Sequence, residues 1–218
     1  MIDAIKAHGS PNVRIVWSGL PSVKTLSSGK YPNSTQFESK AQIAVYGRAS
    51  GVPFVDVQAG GHTGDFLTTK RPRRVSEGED VWAFASPMPP TAVLPLIDAV
   101  RDYGLFVRKA IEAKVFPAGE TWGAWGEYLT LEEQFKQLSE VTGRKVVYKQ
   151  ISGDEFEARL KAGGVPEIVL PSMREMFLGI GEFGYFVEGT VLSHEGLAEK
   201  PRTWRGFVEA QDWSGVFV

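Results

Sequence analysis

The spacing of apolar residues predicts that the chain starts with a helix that leads into a β-strand. Residues 2–7 carry apolar side chains at helical spacing, and Gly9 follows as a natural helix stop. A β-rich run over residues 13–17 then ends in the small residues Ser18 and Gly19. A helix that leads into such a strand is the second half of a βαβ unit. We therefore expect the chain to begin inside an α/β domain.

The next stretch repeats this order of helix and strand. Residues 34–50 are predicted to form a helix that Gly51 ends, and residues 52–57 form the following strand. A crossover of this length is right-handed almost by rule and pairs its two strands in parallel. The first part of the chain is therefore predicted to form a parallel sheet.

Small residues lie at the carboxyl end of both predicted strands. Ser18 and Gly19 end the first strand, while Gly60 and Gly61 end the second and Gly64 follows shortly afterwards. Open parallel sheets bind their ligands outside the carboxyl ends of the strands. These two pairs of small residues are therefore the two places where we expect a binding site.

A different pattern begins after residue 66. Residues 80–85 and 94–97 are strand candidates, and residues 100–113 are predicted to form a helix. The apolar anchors expected for this helix are Leu105, Val107 and Ile111.

Two helix starts in the second half carry capping signals. Thr130 with Glu133 and Ser152 with Glu155 match the capping-box spacing, in which a hydroxyl at the helix start accepts a backbone hydrogen bond. A strand over residues 146–150 separates the two helices. This alternation predicts a compact α/β appendage, distinct from the opening parallel layer.

Composition and charge exclude several classes of protein. Hydrophobic residues make up 43% and charged residues 23% of the chain, values that argue against a disordered protein. The formal charge of −2 argues against a surface dedicated to nucleic acid. The basic run over residues 70–74 lies beside Glu77, Glu79 and Asp80 and is interpreted as a solvated loop.

Further classes are excluded by single residue types. Cysteine is absent, which rules out disulfides and thiolate chemistry and fits a cytoplasmic or nuclear protein. His8, His62 and His194 are scattered without metal-ligand spacing, so no metal site is expected. We also expect no signal peptide and no membrane span, since no long apolar run occurs.

Several short motifs resemble those of the NmrA-like family, an atypical group within the short-chain dehydrogenase superfamily. The stretch VWSGLPSV resembles the fifth-strand signature of that family, and FESKA resembles its F-x-x-K helix opening. Further similarity follows in the same order along the chain, at residues 29–31, 94–98, 102–104, 127–130 and 141–146. On these collinear motifs the chain is identified as an NmrA-like protein, shortened at its N-terminus.

The resemblance implies a fold and a cofactor. It implies an α/β fold with a partial Rossmann-like parallel sheet that lacks the first strands, and a C-terminal α/β subdomain. Residues 1–66 would belong to the NAD(P)-binding domain and residues 67–218 to a substrate or partner subdomain, interleaved with the first. The cofactor would be NADP or NAD, bound weakly or not at all if the G-x-x-G-x-x-G loop is truly missing.

Lys40 is the candidate catalytic residue that the resemblance implies. In the superfamily a tyrosine four residues before such a lysine exchanges protons, and the lysine lowers its pKa and holds the nicotinamide ribose. Here Gln36 stands in place of that tyrosine. In this role Lys40 would contact the cofactor or polarise a carbonyl. The alternative is that Lys40 is a solvated surface lysine without a functional role. Ser18, Gly19, Gly60 and Gly61 are the other cofactor-binding candidates, with a turn as the alternative role for Ser18.

Three further residues are candidates for binding substrate. His62 lies in the altered loop after the second strand and could titrate near neutral pH, although a lone loop histidine more often has no chemical role. Trp122 and Trp125 could line the pocket of a flat ligand, or could pack in the core or in an interface.

Three functions follow from these observations. The first is an NAD(P)-dependent reductase that acts on a small molecule, with the tailoring of products of specialised metabolism as one expected role. The second is a non-catalytic protein that senses the dinucleotide and regulates a protein partner. The third is a shortened homologue that binds no nucleotide. A sheet without its first strands would expose an edge, so we also expect a homodimer or low solubility.

Overall fold

The computed structural model describes residues 1–10, 12–69, 72–76 and 78–218. Lys70 and Arg71 of the predicted basic loop, and the neighbouring Glu77, lie outside these ranges. The strands are β1 (Ile15–Gly19), β2 (Phe54–Ala59), β3 (Gly61–His62), β4 (Arg73–Arg74), β5 (Val81–Ser86), β6 (Val93–Ile97), β7 (Thr121–Ala124), β8 (Glu127–Thr130) and β9 (Lys145–Gln150). The helices are α1 (Ile2–His8), α2 (Val23–Leu26), α3 (Thr35–Ala49), α4 (Asp65–Thr68), α5 (Ala99–Glu112), α6 (Leu131–Thr142), α7 (Gly153–Ala162), α8 (Leu170–Phe183) and α9 (Trp204–Glu209).

The first sheet has the order β1-β2-β7, and both of its strand pairs are parallel. All six residues of the central strand β2 are buried, because helices cover both faces of the sheet. Val55 and Val57 pack with Phe106 of α5, whereas Phe54 packs with Ala44 of α3 on the other face. The prediction of an α/β fold with a parallel sheet is therefore confirmed.

Helix α3 lies close against the sheet because it carries a glycine at the contact. A Cβ built on Gly47 would come within 2.1 Å of the Phe54 ring. This close approach holds α3 over β1 and β2. It also places the first turns of the helix beside the carboxyl end of β1.

Two further sheets make up the rest of the molecule. The order β3-β6-β8 combines a parallel and an antiparallel pair, and the order β4-β5-β9 does the same. Helix α6 packs on β9, and its buried Phe135 and Leu138 join the largest apolar core together with Trp82 and Trp204. Burying such aromatic rings contributes much of the stability of this part of the chain.

Both predicted capping signals are confirmed as helix starts. The Thr130 hydroxyl accepts a hydrogen bond of 3.1 Å from the Glu133 backbone N–H, and Ser152 does the same for Glu155 at 3.1 Å. Gly143 ends α6 at a φ of +67°, a left-handed conformation that glycine adopts without strain.

Of the apolar anchors predicted for α5, Leu105 packs against the core as a partly buried residue, whereas the prediction for Ile111 is wrong. The buried positions of α5 are Asp102, Phe106 and Ala110, which are spaced one turn apart. Ile111 is 58% exposed. The face of α5 that meets the sheet therefore centres on Phe106, with the partly buried Tyr103 and Leu105 beside it.

The first sheet draws its strands from well-separated parts of the sequence. Strand β7 lies beyond residue 66 and pairs with β2, in a register that sets Val57 beside Trp122. The division into residues 1–66 and 67–218 stays a prediction. Within the part of the chain that the structure describes, no helix is both long and apolar enough to cross a membrane.

Candidate functional site

The carboxyl ends of the three parallel strands meet at one edge of the first sheet. Gly19 ends β1, and Gly60 follows β2 and donates its backbone N–H to Ala124 at the end of β7 (2.9 Å). A Cβ on Gly60 would lie 2.6 Å from the carbonyl oxygen of Pro95, so this close approach requires glycine. Two of the predicted cofactor-binding positions, Gly19 and Gly60, therefore lie at the same edge.

Lys40 reaches this edge from α3. Its Nζ donates a hydrogen bond to the carbonyl oxygen of Ser18 at 3.0 Å. In return, the Trp17 indole Nε1 donates to the Lys40 carbonyl oxygen at 3.2 Å. These two bonds fix α3 to β1 and bring Lys40, Ser18 and Gly19 together, as the resemblance implied. The role of each in binding stays a prediction.

A buried carboxyl group lies beneath Lys40. Asp56 of β2 is fully buried, and its Oδ2 accepts a hydrogen bond of 2.8 Å from Gln58 Nε2. The Arg48 guanidinium lies 3.9 Å from the same oxygen. The Gly19 backbone also hydrogen-bonds to Asp56, while Gln58 Oε1 has no hydrogen-bond partner among the described residues. Gly19 is required here too, since a Cβ at that position would lie 2.0 Å from Asp56 Oδ1.

The ionisation of Asp56 is altered by its surroundings. Burial raises the pKa of Asp56 to about 6, against the opposing effects of the Gln58 hydrogen bond and of the Arg48 and Lys40 charges. The group therefore titrates close to neutral pH. It places an ionisable carboxyl directly below the candidate site.

A tyrosine lies on the opposite face of the same sheet. The Tyr103 hydroxyl of α5 donates to the Val57 carbonyl oxygen at 2.9 Å. Burial raises the pKa of Tyr103, a hydrogen bond with Ser18 lowers it, and the charge of Asp56 raises it. Tyr103 is thus a second hydroxyl beside the exposed Ser18.

The place of the superfamily tyrosine is taken by a structural residue. The Gln36 Oε1 accepts a short hydrogen bond from the Ser172 hydroxyl, and its Nε2 lies 3.3 Å from the sulfur of Met176. Both contacts join α3 to α8. Gln36 offers no group that could exchange a proton near neutral pH.

The predicted substrate-binding residues do not join this cluster. His62 is exposed on β3, and Gly61 beside it pairs with Leu96. Trp122 is only 7% exposed and packs in the core on the α5 face. Its Nε1 donates to Glu120 Oε2 at 2.6 Å.

Trp125 lies against a histidine from the C-terminal region. Its ring centroid is 4.0 Å from that of His194, and its carbonyl oxygen is 2.8 Å from His194 Nε2. The buried Trp125 Nε1 has no partner among the described residues. Within the described residues, no hydrogen bond or ring contact links Trp125 to Lys40. Substrate binding by Trp122, Trp125 and His62 stays a prediction.

The sequence reasoning missed Asp56 and Gln58. A signal was available, because two polar residues interrupt a strand that is otherwise apolar and lies between helices. Charged residues are almost never fully buried unless they are paired, so Asp56 stood out from its neighbours.

Comparisons with known proteins place this geometry in a family. The sequence model of the NmrA-like family matches residues 1–208. The crystal structure of NmrA, a negative transcriptional regulator, in complex with NADP superimposes with a TM-score of 0.70 at 21% identity, covering 97% of this chain and 71% of that one. An NADPH-dependent quinone oxidoreductase from Escherichia coli gives 0.69 at 18% identity, covering 95% and 70%.

A third solved structure has the same fold. Triphenylmethane reductase from Citrobacter sp. superimposes with a TM-score of 0.64 at 15% identity, covering 95% of this chain and 67% of that one. At these identities the structures show the shared fold alone, whereas the family model spans nearly the whole chain. The chain belongs to the NmrA-like family.

Proposed function

We propose that this chain is an NAD(P)-dependent reductase whose site lies at the carboxyl end of the β1-β2-β7 sheet. The observation that carries the proposal is the position of Lys40, whose Nζ is held against the end of β1 by the Ser18 carbonyl oxygen (3.0 Å). An ammonium group has three donors, and among the described residues this is its one hydrogen bond. Two donors therefore remain for a ligand, and a ribose could accept them.

The donors at this edge fit the ribose and nicotinamide half of the cofactor. Lys40 and the exposed Ser18 hydroxyl supply hydrogen bonds, and they lie at the same edge as the backbone of Gly19 and Gly60. The bound reduced nicotinamide would supply hydride. Among the described residues no helix follows a strand with G-x-x-G-x-x-G spacing, so the proposal covers this half of the dinucleotide only.

The acceptor that fits this site is one that needs no tyrosine as proton donor. Gln36 occupies the place of that tyrosine and is engaged with Ser172 and Met176. Gln36 in place of the tyrosine is tolerated by an acceptor that delocalises the negative charge it gains with the hydride. It is also tolerated by an acceptor that is itself cationic. Related folds include a quinone oxidoreductase and a triphenylmethane reductase, which is consistent with acceptors of this kind. A tailoring step in specialised metabolism is one setting for such a reaction.

The same observation at Gln36 favours a second function. A site that binds the dinucleotide but lacks a proton donor can report the state of the nucleotide pool without turnover, and NmrA itself is described as a negative transcriptional regulator. In that case the bound nucleotide would alter contacts with a regulatory protein partner.

Titration with NADPH, followed by nicotinamide fluorescence, tests the proposal. We expect saturable binding, and we expect Lys40→Met to weaken it by about tenfold, because a charge-assisted hydrogen bond is lost. Lys136→Met is the matched control, since this exposed lysine lies on α6 beside Glu133. If the wild-type protein shows no saturable binding, or if both variants weaken it equally, the proposal is wrong.

An assay of NADPH oxidation with a quinone acceptor separates the two functions. Turnover that depends on Lys40 supports the reductase. Saturable binding without turnover across quinone and cationic dye acceptors supports the regulatory function. Absence of binding would favour a homologue that uses no nucleotide.

We also propose that the chain forms a homodimer through the outer edge of β1. Among the described residues, β1 pairs with β2 alone. Because Ile15 donates its N–H to Pro53 on the β2 side, the Val16 N–H points to the outer edge. Open strand edges of this kind pair with other chains.

Sedimentation velocity tests the dimer. Val16→Pro removes the outward N–H, and we expect it to shift the protein to the monomer. Val16→Ala loses similar side-chain packing but keeps the N–H, so it should remain dimeric. A wild-type protein that stays monomeric at every concentration would contradict this proposal.

A further inference from the structure

A large cleft lies on the β4-β5-β9 sheet, apart from the site at Lys40. It encloses about 690 Å³, and none of its lining residues belongs to β1, β2, β7 or α3. Its walls come from β5 on one side and from Phe156 and Leu160 of α7 on the other. Small-ligand sites commonly have volumes of about 300–1,000 Å³, so the cleft is large enough for a whole organic molecule.

The cleft is open because β5 presents small side chains on this face. Residues alternate across a strand, so Ala83 and Ala85 share one face while Trp82 lies on the other. Trp82 is buried in the main core. On the cleft face, the methyl groups of Ala83 and Ala85 leave space between the sheet and α7 that larger side chains would fill. The floor of the cleft is therefore apolar and flat.

The strand register places an arginine at the rim of this floor. Arg73 of β4 pairs directly with Ala83 of β5, and residues directly opposite each other in an antiparallel pair share a face. Arg73 lines the cleft, and no ion pair involves it within the part of the chain that the structure describes. The adjacent Arg74 pairs with Trp82 on the other face, where its guanidinium lies 5.3 Å from the indole.

A second arginine on the opposite wall is already neutralised in part. Arg159 of α7 lines the cleft, but its Nη2 lies 2.6 Å from Glu155 Oε1. Of the two arginines that line the cleft among the described residues, Arg73 is thus the one without an ion pair. A planar guanidinium over an apolar floor suits a carboxylate, sulfonate or phosphate that is attached to an apolar body.

We propose that this cleft binds an amphipathic organic anion, with its apolar body on Ala83, Ala85 and α7 and its acidic group against Arg73. An uncharged ligand of the same shape would leave the guanidinium without a partner, so the charge adds both affinity and orientation. The site does not depend on nucleotide binding at Lys40.

Two fluorescent probes with the same type of aromatic body test the proposal. 8-Anilinonaphthalene-1-sulfonate carries an acidic group, and N-phenyl-1-naphthylamine does not. We expect one saturable sulfonate site, with about tenfold weaker binding of the uncharged probe. Equal affinity for the two probes would overturn the proposal, as would displacement of the sulfonate by NADPH.

Matched variants locate the probe. Arg73→Gln should lower the sulfonate affinity to that of the uncharged probe and leave the latter unchanged, whereas Arg74→Gln should change neither. Ala85→Leu fills the floor and should weaken both probes, with far-ultraviolet circular dichroism confirming that the fold is kept. If Arg73→Gln and Arg74→Gln have the same effect, the anion does not bind at this rim. Arg73 is exposed, so its substitution should leave the fold intact. Arg73→Gln therefore tests the proposal even if Ala85→Leu fails to fold.

Discussion

Asp56 is the residue that couples the candidate site to the fold. It is a fully buried residue of β2. Gln58 and the Gly19 backbone donate hydrogen bonds to it, and Lys40 and Arg48 provide nearby positive charge. Burial of a carboxylate is costly even with such neighbours. Proteins retain a costly buried carboxylate where it has a structural or functional role. Here the negative charge attracts the Lys40 ammonium toward the sheet.

The pKa of Asp56 gives a measurable effect on stability. Its pKa is raised to about 6 from the model-compound value of 3.8, so the folded protein holds this proton more tightly than the unfolded chain. The contribution of Asp56 to stability is therefore greatest at low pH and is lost as the pH rises through 6. Relative to Asp56→Asn, the wild type should lose about 1 kcal/mol between about pH 5 and about pH 8.

Urea unfolding of both proteins across this range checks the effect. The difference between them isolates Asp56 from the other titrating groups. A difference that is constant with pH, or that grows in favour of the wild type as the pH rises, would show that the pKa is not raised.

At the residue scale, the sequence predicted the parts of the site that follow from a linear motif. The resemblance of FESKA implied Lys40 as a candidate, and the small residues after the first strand indicated Ser18 and Gly19; the structure brings the three together. Asp56 was missed because its importance depends on burial, which arises only when α3 covers β2. The core position of Trp122 likewise follows from the pairing of β7 with β2, which no local pattern indicates.

At the scale of single elements, α5 shows how residue size can mislead. The bulky aliphatic residues predicted as anchors include Ile111, which is 58% exposed, while Phe106 is 1% exposed. The covered face carries Asp102 and Ala110, a polar and a small residue, so hydrophobicity alone does not give the phase. The helix caps were predictable because they depend on residues only three positions apart.

Substitutions in α5 test this corrected phase. Phe106→Ala should cost about 3–5 kcal/mol, because it leaves a cavity against β2. Ile111→Ala should change stability by less than about 0.5 kcal/mol, as is usual for exposed positions. Chemical denaturation measures both, and a larger loss for Ile111→Ala would restore the original prediction.

At the scale of the whole molecule, distant segments are joined by ion pairs as well as strands. Asp98 and Asp102 at the start of α5 are buried and contact Arg202 from the C-terminal region. The Arg202 side chain lies 2.9 Å from Asp98 Oδ2. These bonds position α9, whose Trp204 enters the main core. Contacts over about a hundred residues of sequence could not be inferred from local periodicity.

Removal of this connection should loosen the C-terminal region. We expect Arg202→Met to destabilise the protein by about 1–3 kcal/mol, because a buried carboxylate loses its partner. Hydrogen exchange of α9 should accelerate. Arg205→Met is the control, since its pair with Glu140 is exposed and should contribute less than about 1 kcal/mol. Equal effects of the two substitutions would contradict this account.

We propose that the nicotinamide dinucleotide binds at the carboxyl end of the β1-β2-β7 sheet. Amide signals of ¹⁵N-labelled protein, recorded during titration with NADPH, test it most directly. We expect saturating shifts for Gly19, Gly60 and Gly61. The signals of Gly143 and Gly206 should stay unchanged, since these two glycines lie beside α6 and in α9. Absence of saturating shifts, or shifts centred on the latter two glycines, would contradict it.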